Sequence, residues 1–394
     1  MPFVSMLRPR GCAGRAAGGR GPAGGTLLAC TAATVIGLAG IVLAGCASTD
    51  PSRAGDPADT STGSGQNGSQ RPETVASGLR APWGLAFLPD RSALVAERDS
   101  GRIMQVPANG GVPTEVMRIP DVATDAGEGG LLGLAVSPSY ATDHVVYAYY
   151  TTDTDNRIVR FPLPLGDAPR ATVEPILAGI AKATVHNGGR IAFGPDGMLY
   201  AGTGDASERA RAQDASSLNG KILRMRPDGS VPADNPDPHS LVYSLGHRNV
   251  QGLAWDSAGR LWATEFGQNA YDEVNLIQAG HNYGWPIVEG RGDTDGGRFT
   301  NPFVTWTPTE ASPSGAAIIG STLYAAALRG ERLWVVPLDG KGAGTPHALL
   351  NGEVGRLRTV VAAPDGSLWV TTSNTDGRGS PRDSDDRILR LTSF

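Results

Sequence analysis

The sequence predicts an all-β protein folded as a six-bladed β-propeller. A unit made of a strand, a turn of the Pro-Asp-Gly type and a second strand recurs six times. The copies open at Gly84, Gly133, Arg190, Gly252, Gly315 and Thr359. Many copies are followed by a third strand, as in residues 387–391, Arg-Ile-Leu-Arg-Leu. Because one blade cannot bury both of its faces alone, six such units are expected to stack around an axis.

One further strand precedes the first repeat and provides a way to close the ring. Residues 73–79 read Glu-Thr-Val-Ala-Ser-Gly-Leu, and this segment can supply the outer strand of the last blade. No stretch beyond the hydrophobic N-terminal segment has a helical period over twelve residues. We therefore predict one propeller domain over residues 73–394, a length that suits a core that grows by adding blades.

Residues 1–46 are predicted to be a lipoprotein signal peptide. A basic region precedes twenty uncharged residues, 26–45, and the Leu-Ala-Gly-Cys sequence ending at Cys46 is typical of bacterial lipoproteins that are cut and lipidated there. The alternative is an uncut membrane anchor, since twenty uncharged residues can span a bilayer. Both interpretations predict that the remaining chain lies outside the cytoplasm, bound to the cell membrane.

Composition limits what the body of the protein can do. All three cysteines, Cys12, Cys30 and Cys46, lie in the leader, so the propeller is expected to use no disulfide or thiol chemistry. Residues 47–72 are rich in Gly and Ser, as expected of a flexible tether. The net charge is only −5 and no basic tract is present, which argues against a nucleic-acid partner.

Two blocks place ionisable side chains just before a first strand. His186 is followed by Asn-Gly-Gly, which lets the backbone approach a ligand closely, and a neutral imidazole there can accept a proton. Arg248 and Asn249 stand at the equivalent position of the next blade. They can hold an anionic cofactor or stabilise developing charge, and the alternative is an inter-blade salt bridge.

Two other segments predict ligand binding. Arg356 and Arg358 are two residues apart on an extended segment, so both side chains point the same way and suit carboxylates. Residues 264–275 are rich in oxygen ligands around a glycine, a composition that favours calcium. The alternative for this loop is a solvated acidic surface. No cysteine or paired-histidine spacing suggests zinc.

Several longer motifs resemble the soluble quinoprotein glucose/sorbosone dehydrogenase family, which includes aldose sugar dehydrogenases. The similarity runs in the same order over about residues 73 to 392. The motifs that carry it are residues 127–133, 186–190, 218–224, 246–252, 265–275 and 282–286.

The resemblance implies a propeller that holds pyrroloquinoline quinone (PQQ) and calcium on its upper face. His186 would be the base that takes the hydroxyl proton at the anomeric carbon of an aldose while hydride passes to the quinone. Arg248 would stabilise the oxygen that becomes negative. The remaining residues implied to bind the cofactor are Glu128, Asn249, Gln251, Arg329, Arg356 and Arg358. The backbone carbonyls of Gly267 and Gln268 would bind the calcium ion, which would act as a Lewis acid, and an external acceptor would take the electrons.

The chain departs from the family pattern at positions that bear on substrate and cofactor. Val185 stands where glucose-oxidising members have an acid, and Glu128 stands where they have Gln. Arg329 occupies a family lysine position, and Gln268 replaces a proline in the ion loop.

Two other functions fit a propeller of this kind. One is a calcium-dependent hydrolase or lactonase that uses an ion-activated water. The other is a non-catalytic lipoprotein that binds sugar or a protein partner, because a fold does not fix a function. Binding of PQQ would distinguish a dehydrogenase from both of these alternatives.

Overall fold

The computed structural model describes residues 71–163, 172–339 and 342–394, which form six antiparallel sheets. The predicted signal peptide and nearly all of the predicted tether lie outside these residues. In chain order the strands are β1 Glu73–Ala76; β2 Pro82–Phe87, β3 Ala93–Glu97, β4 Arg102–Val106 and β5 Thr114–Arg118 (blade 1); β6 Leu131–Val136, β7 Val145–Thr151, β8 Asn156–Pro162 and β9 Glu174–Ile180 (blade 2); β10 Ile191–Phe193, β11 Leu199–Gly202, β12 Lys221–Met225 and β13 Val242–Leu245 (blade 3); β14 Val250–Trp255, β15 Leu261–Glu265, β16 Asp272–Ile277 and β17 Val304–Trp306 (blade 4); β18 Pro313–Ile319, β19 Thr322–Ala327, β20 Arg332–Asp339, β21 Gly342–Ala343 and β22 His347–Leu349 (blade 5); β23 Leu357–Ala362, β24 Leu368–Thr372 and β25 Ile388–Leu391 (blade 6). The six-bladed propeller predicted from the repeats is confirmed.

Strand β1 closes the ring as predicted. It pairs antiparallel with β25, so the sheet order of blade 6 is β1-β25-β24-β23. Glu73 lies opposite Arg390 in this pairing, and their charged groups are 3.7 Å apart. The two ends of the described chain therefore share one sheet, which leaves no open gap in the ring.

The described residues contain little helical structure. The one α-helix of the described residues is the four-residue α1, Tyr140–Asp143, and two short 3₁₀ turns lie at Arg209–Ala212 and Asp295–Gly297. Among the described residues no helix is long and apolar enough to cross a membrane.

The turn between the first two strands of a blade is built from local hydrogen bonds. In blade 3 the Gly194 amide donates to the Met198 carbonyl at 2.9 Å, and Asp196 Oδ1 accepts from the Met198 amide at 3.1 Å. Gly197 takes a φ of 74°, which suits a residue without Cβ. Blade 6 repeats the arrangement around Asp365. The Pro-Asp-Gly sequence thus encodes these tight turns.

The core lies between neighbouring blades rather than within a single blade. The described residues form six buried apolar clusters, and each one joins strands of adjacent blades, for example blades 1 and 2 or blades 6 and 1. Strand β3 is buried along its whole length, and its first four residues, 93–96, are all apolar. Burial therefore depends on the neighbouring blade, as the repeat pattern predicts.

The repeated glycine at the start of the first strand allows the inner strands to approach one another. A Cβ on Gly84 would meet the Leu132 carbonyl oxygen at 2.5 Å. A Cβ on Gly133 would meet the Gly189 carbonyl oxygen at 2.2 Å. Backbone atoms cannot move away as a flexible side chain can, so these positions require glycine. The result is a narrow ring of first strands around the axis.

Candidate active site

The predicted site residues lie at one end of the blades, called here the upper face. This face is formed by the loops that enter the first strand of each blade and by the loops that join its second and third strands. His186, Arg248 and Arg356 lie in entering loops, before β10, β14 and β23. Hydrogen bonds between blades 2, 3, 4 and 6 connect these loops.

β-Bulges at the upper ends of the inner strands position two of the predicted residues. The pairing register shifts between Val250 and Gly252, and again between Leu357 and Thr359. Gln251 and Arg358 occupy these bulges, where an extra residue redirects a side chain. Arg358 Nη1 donates to Gln251 Oε1 at 3.0 Å. Two predicted cofactor-binding residues from blades 4 and 6 are thus in direct contact.

The turn that carries His186 has an unusual backbone. His186 has a φ of 62°, a left-handed value that is uncommon outside glycine and is often found at functional sites. Gly188 and Gly189 follow with φ values of 65° and 112°. Asn249 Oδ1 accepts from the Gly188 amide at 2.9 Å, so a predicted cofactor residue also holds the turn.

His186, Asp205 and Trp285 form the group named here the histidine corner. His186 Nδ1 is 2.8 Å from Asp205 Oδ1, and Trp285 Nε1 donates to Asp205 Oδ2 at 2.9 Å. A carboxylate at Nδ1 favours the tautomer that has its proton on Nδ1 and a free lone pair on Nε2. No described residue bonds Nε2. The imidazole is therefore arranged to accept a proton at Nε2.

The electrostatics of the corner keep Asp205 ionised. Burial acts to raise the pKa of Asp205, but hydrogen bonds from His186, Trp285 and the Ser207 amide outweigh burial and lower the pKa below its usual value. An ionised carboxylate at this distance stabilises the imidazolium that forms when His186 takes a proton.

Arg248 lies beside the histidine corner, and not all of its hydrogen-bond donors have partners in the described chain. Its guanidinium lies 5.4 Å from the Trp285 ring centre, and Nη1 donates to the Phe266 carbonyl at 3.2 Å. Its backbone amide donates to the buried Glu265 carboxylate. Nε is buried without a partner among the described residues. Burial lowers the pKa of Arg248, against the opposing effect of nearby carboxylates such as Asp205.

Arg190, Arg356 and Arg358 form the group named here the arginine cluster. Both members predicted from the sequence reach one acid: Arg356 Nη2 lies 2.9 Å and Arg358 Nη2 lies 3.7 Å from Asp376 Oδ2. These guanidinium groups outweigh burial and lower the pKa of Asp376. Arg358 Nε is buried with no partner in the described chain.

Glu128 connects the corner to the rim of the site. Its Oε2 accepts from the His186 amide at 3.1 Å, and its Oε1 is 2.6 Å from Arg378 Nη1. Burial would raise the pKa of Glu128, but Arg378, the His186 amide and Arg358 together lower it. The Arg378 side chain is 58% exposed. It therefore carries a charge at the mouth of the site.

The predicted ion loop is organised around an acid from another segment. Glu289 Oε1 accepts from the amides of Gln268, Asn269 and Ala270 at 2.5, 3.0 and 3.0 Å. In a trans peptide the N–H and the preceding C=O point in opposite directions. The carbonyls of Gly267 and Gln268 therefore point away from Glu289, and no described residue donates to them.

These two carbonyls fit a hard cation, although the acids nearby do not form a conventional cluster. Within the described chain no group of three or more His, Cys, Asp or Glu side chains could hold a metal ion. A Cβ on Gly267 would lie 1.6 Å from the Tyr271 carbonyl oxygen, so this tight loop requires glycine. Main-chain oxygens remain as the available ligands here.

Arg329 stands apart from the other predicted residues. It lies in the loop between β19 and β20, on the upper face, and is exposed. Within the described ranges no hydrogen bond or ion pair joins it to Asn249, Arg356 or Arg358. Its role in cofactor binding stays a prediction.

Several residues of the candidate site are not predicted from the sequence alone. Asp205 follows β11 in the sequence Gly-Thr-Gly-Asp, and Trp285 lies within residues 282–286, one of the motifs that carry the family resemblance. Asp376, Arg378 and Glu289 lie in loops with no local signal. The sequence offers one indication, an acid three residues after the second strand of blade 3 and on the same face as His186.

Fold and site together define a six-bladed propeller with an oriented imidazole next to a group of buried arginines. Comparison with known proteins agrees with this class. Residues 79–389 match the family described as Glucose / Sorbosone dehydrogenase.

Solved and curated relatives belong to the same class. The PQQ-bound aldose sugar dehydrogenase of Streptomyces coelicolor is 53% identical, with a TM-score of 0.77 over 81% of this chain and 96% of that one. The aldose sugar dehydrogenase YliI of Escherichia coli is 29% identical over 348 residues, which cover 79% of this chain and 92% of that protein. Quinoprotein glucose dehydrogenase B of Acinetobacter calcoaceticus is 34% identical over 58% of this chain and 55% of that protein. The chain belongs to the glucose/sorbosone dehydrogenase family, a family of oxidoreductases.

Proposed function

We propose that this protein is a PQQ-dependent dehydrogenase that oxidises aldoses at the anomeric carbon to lactones. The observation that carries the proposal is the free Nε2 of His186, oriented by Asp205, beside two buried guanidinium groups, Arg248 and Arg358, whose Nε atoms lack partners in the described chain. The PQQ-bound relative from Streptomyces coelicolor supports the choice of cofactor.

The unpartnered donors fit a ligand with several carboxylates. Arg248 Nε, Asn249 Nδ2 and Arg358 Nε are buried without hydrogen-bond partners in the described chain. Leaving such groups unpaired is costly, so they suit a bound acceptor. Asn249, Arg356 and Arg358 would hold the carboxylates and ring oxygens of PQQ, with Gln251, Glu128 and Arg329 completing the site.

Calcium would bind the carbonyl oxygens of Gly267 and Gln268. Their orientation away from Glu289 supports this assignment, and main-chain oxygens are ligands that calcium accepts. When bound, PQQ supplies a two-electron acceptor for hydride and calcium supplies Lewis acidity.

The protein's own residues have separate tasks in the reaction. His186 Nε2 takes the proton of the C1 hydroxyl as the C1–H bond breaks and the C1–O bond becomes a carbonyl. Asp205 stabilises the resulting imidazolium. Arg248 stabilises the negative charge that develops on the C1 oxygen. Trp285 holds Asp205 in place through its indole N–H.

We also propose a place for the enzyme in the cell. The leader sequence supports a lipid anchor on Cys46 and a location outside the cytoplasm. Electrons removed from the sugar would pass to an external electron acceptor. A redox dye can substitute for this acceptor in an assay.

The test is dye reduction by the purified full-length chain with calcium, PQQ and a panel of aldoses. Quinone-dependent turnover that a calcium chelator abolishes is the expected result, and the panel ranks the sugars. A control without quinone measures background reduction. Absence of both turnover and quinone binding would overturn the proposal and favour a non-catalytic binding propeller. Sugar-lactone hydrolysis without quinone would favour the hydrolase.

A further inference from the structure

Arg190 is a buried cation that the proposed reaction does not use. It precedes β10 on the inner ring and lines a cavity of about 300 Å³ whose walls come from the first strands of all six blades. Arg190 Nε donates to the Gln251 carbonyl at 2.8 Å, and Nη2 donates to Thr359 Oγ1 at 2.9 Å. Both partners are uncharged.

No acid compensates this charge. Across the described ranges, no carboxylate oxygen lies within 4.0 Å of the Arg190 guanidinium. The group instead lies 4.3 Å from the centre of the Trp83 ring, and Arg358 lies 5.7 Å from the same ring. Two buried guanidinium groups therefore share one indole. Burial, together with the charge of Arg358, lowers the pKa of Arg190 to about 9.

An uncompensated buried charge is costly, and two like charges close together add to the cost. Asp376 offsets part of the charge of Arg356 and Arg358 but does not reach Arg190. Gln251 bonds both arginines, through its carbonyl to Arg190 and through Oε1 to Arg358. An anion held by Arg358 would therefore also lower the free energy of the Arg190 charge.

We propose that Arg190 is an electrostatic positioning residue for the anionic cofactor. It acts by charge, through Arg358 and Gln251, while its own hydrogen bonds stay within the protein. The inference rests on the proposed function, because the anion is taken to be the tricarboxylate PQQ.

The test separates charge from shape at position 190. Quinone affinity is measured by titration of PQQ absorbance in the full-length protein, and thermal unfolding is followed with and without PQQ. Arg190→Lys keeps the charge but changes the geometry, whereas Arg190→Gln loses the charge and keeps hydrogen-bond donors. Arg190→Met is a second neutral variant in case Arg190→Gln does not fold. Arg160→Met is the matched control, since Arg160 pairs with Glu174 on the outer part of blade 2.

We expect both neutral variants to bind PQQ about tenfold more weakly, the size of one charge interaction through protein, and Arg190→Lys to stay within about threefold. The PQQ-induced rise in Tm should shrink in the neutral variants only. Equal loss in the Lys and Gln variants would show a structural role and overturn the proposal, as would unchanged affinity in every variant. If the unsubstituted protein does not bind PQQ, the proposed function itself fails, which is a different result.

Discussion

The histidine corner and the arginine cluster differ in how far the protein alone completes them. In the corner, both Asp205 oxygens are engaged and His186 Nδ1 is paired, which leaves Nε2 as the free atom. In the cluster, Arg358 has a buried donor without a partner and Arg190 has no acid. The corner is preorganised by its own bonds, whereas in the cluster three guanidinium groups are accompanied by one acid, Asp376.

Because of this difference, we expect the histidine corner and the arginine cluster to have separate roles in one site. A preorganised base can act as soon as substrate arrives, because no protein group must be reoriented. A cationic surface with unpaired donors selects its ligand by charge and by hydrogen bonds. Substitutions in the corner should therefore change turnover, and substitutions in the cluster should change cofactor binding.

His186→Ala should have the largest effect of the corner variants. Removing the base should lower kcat by about 10³, within the usual range for general base catalysis, while PQQ affinity stays nearly unchanged. Steady-state dye reduction and PQQ titration measure the two quantities. His239→Ala is the control, because His239 is exposed. Unchanged turnover in His186→Ala would remove His186 from the mechanism.

Asp205→Asn should have the next largest effect. The amide cannot stabilise the imidazolium as a carboxylate does, so kcat should fall by about 10² with little change in PQQ affinity. Because the folded pKa of Asp205 is lowered, its contribution to stability is present above its unfolded pKa and is lost as the pH falls through the folded value. Thermal unfolding of Asp205→Asn should thus depend less on pH in the acid range.

The control for this substitution is Asp237→Asn, which changes an exposed acid that accepts a hydrogen bond from the His239 amide. If acid lowers the stability of Asp205→Asn as much as that of the unsubstituted protein, the contact with His186 is not what keeps Asp205 ionised.

Arg378→Ala should have the smallest effect and should act on the sugar. Its loss removes the ion-pair partner of Glu128 at the mouth of the site. We expect KM for aldoses to rise about threefold, with kcat and PQQ affinity almost unchanged. The effect should be small because an exposed ion pair contributes little free energy. Arg118→Ala is a matched control, because Arg118 is 54% exposed and pairs with Glu115 at 3.1 Å. A fall in PQQ affinity instead would place Arg378 with the arginine cluster.

The sequence predicts the fold well because its signals are local. Strand and turn patterns repeat within each unit, and the Asp196 turn and the Gly84 contact show why the same residues recur. His186 and Arg248 were also identifiable, since both precede a first strand. Both residues hold equivalent positions in the repeated unit, and the repeat can be seen in a single sequence.

Partners from distant loops were not predictable. Trp285 and Asp205 are 80 residues apart, and Arg378 and Glu128 are 250 apart, so no spacing rule relates them. The bulges that turn Gln251 and Arg358 towards each other depend on strand pairing. The exposed position of Arg329 likewise depends on the path of one loop.

The pairing of β1 with β25 has a consequence for how the chain folds as it is made. Residues 73–76 are synthesised before every blade, yet their partner, residues 388–391, is synthesised after every other described strand. Until then β1 and the first blade lack the neighbour that covers them, and an uncovered strand edge can pair with other chains. The ring therefore cannot close until β25 has been made, and a chain truncated before β25 would retain a permanently open edge.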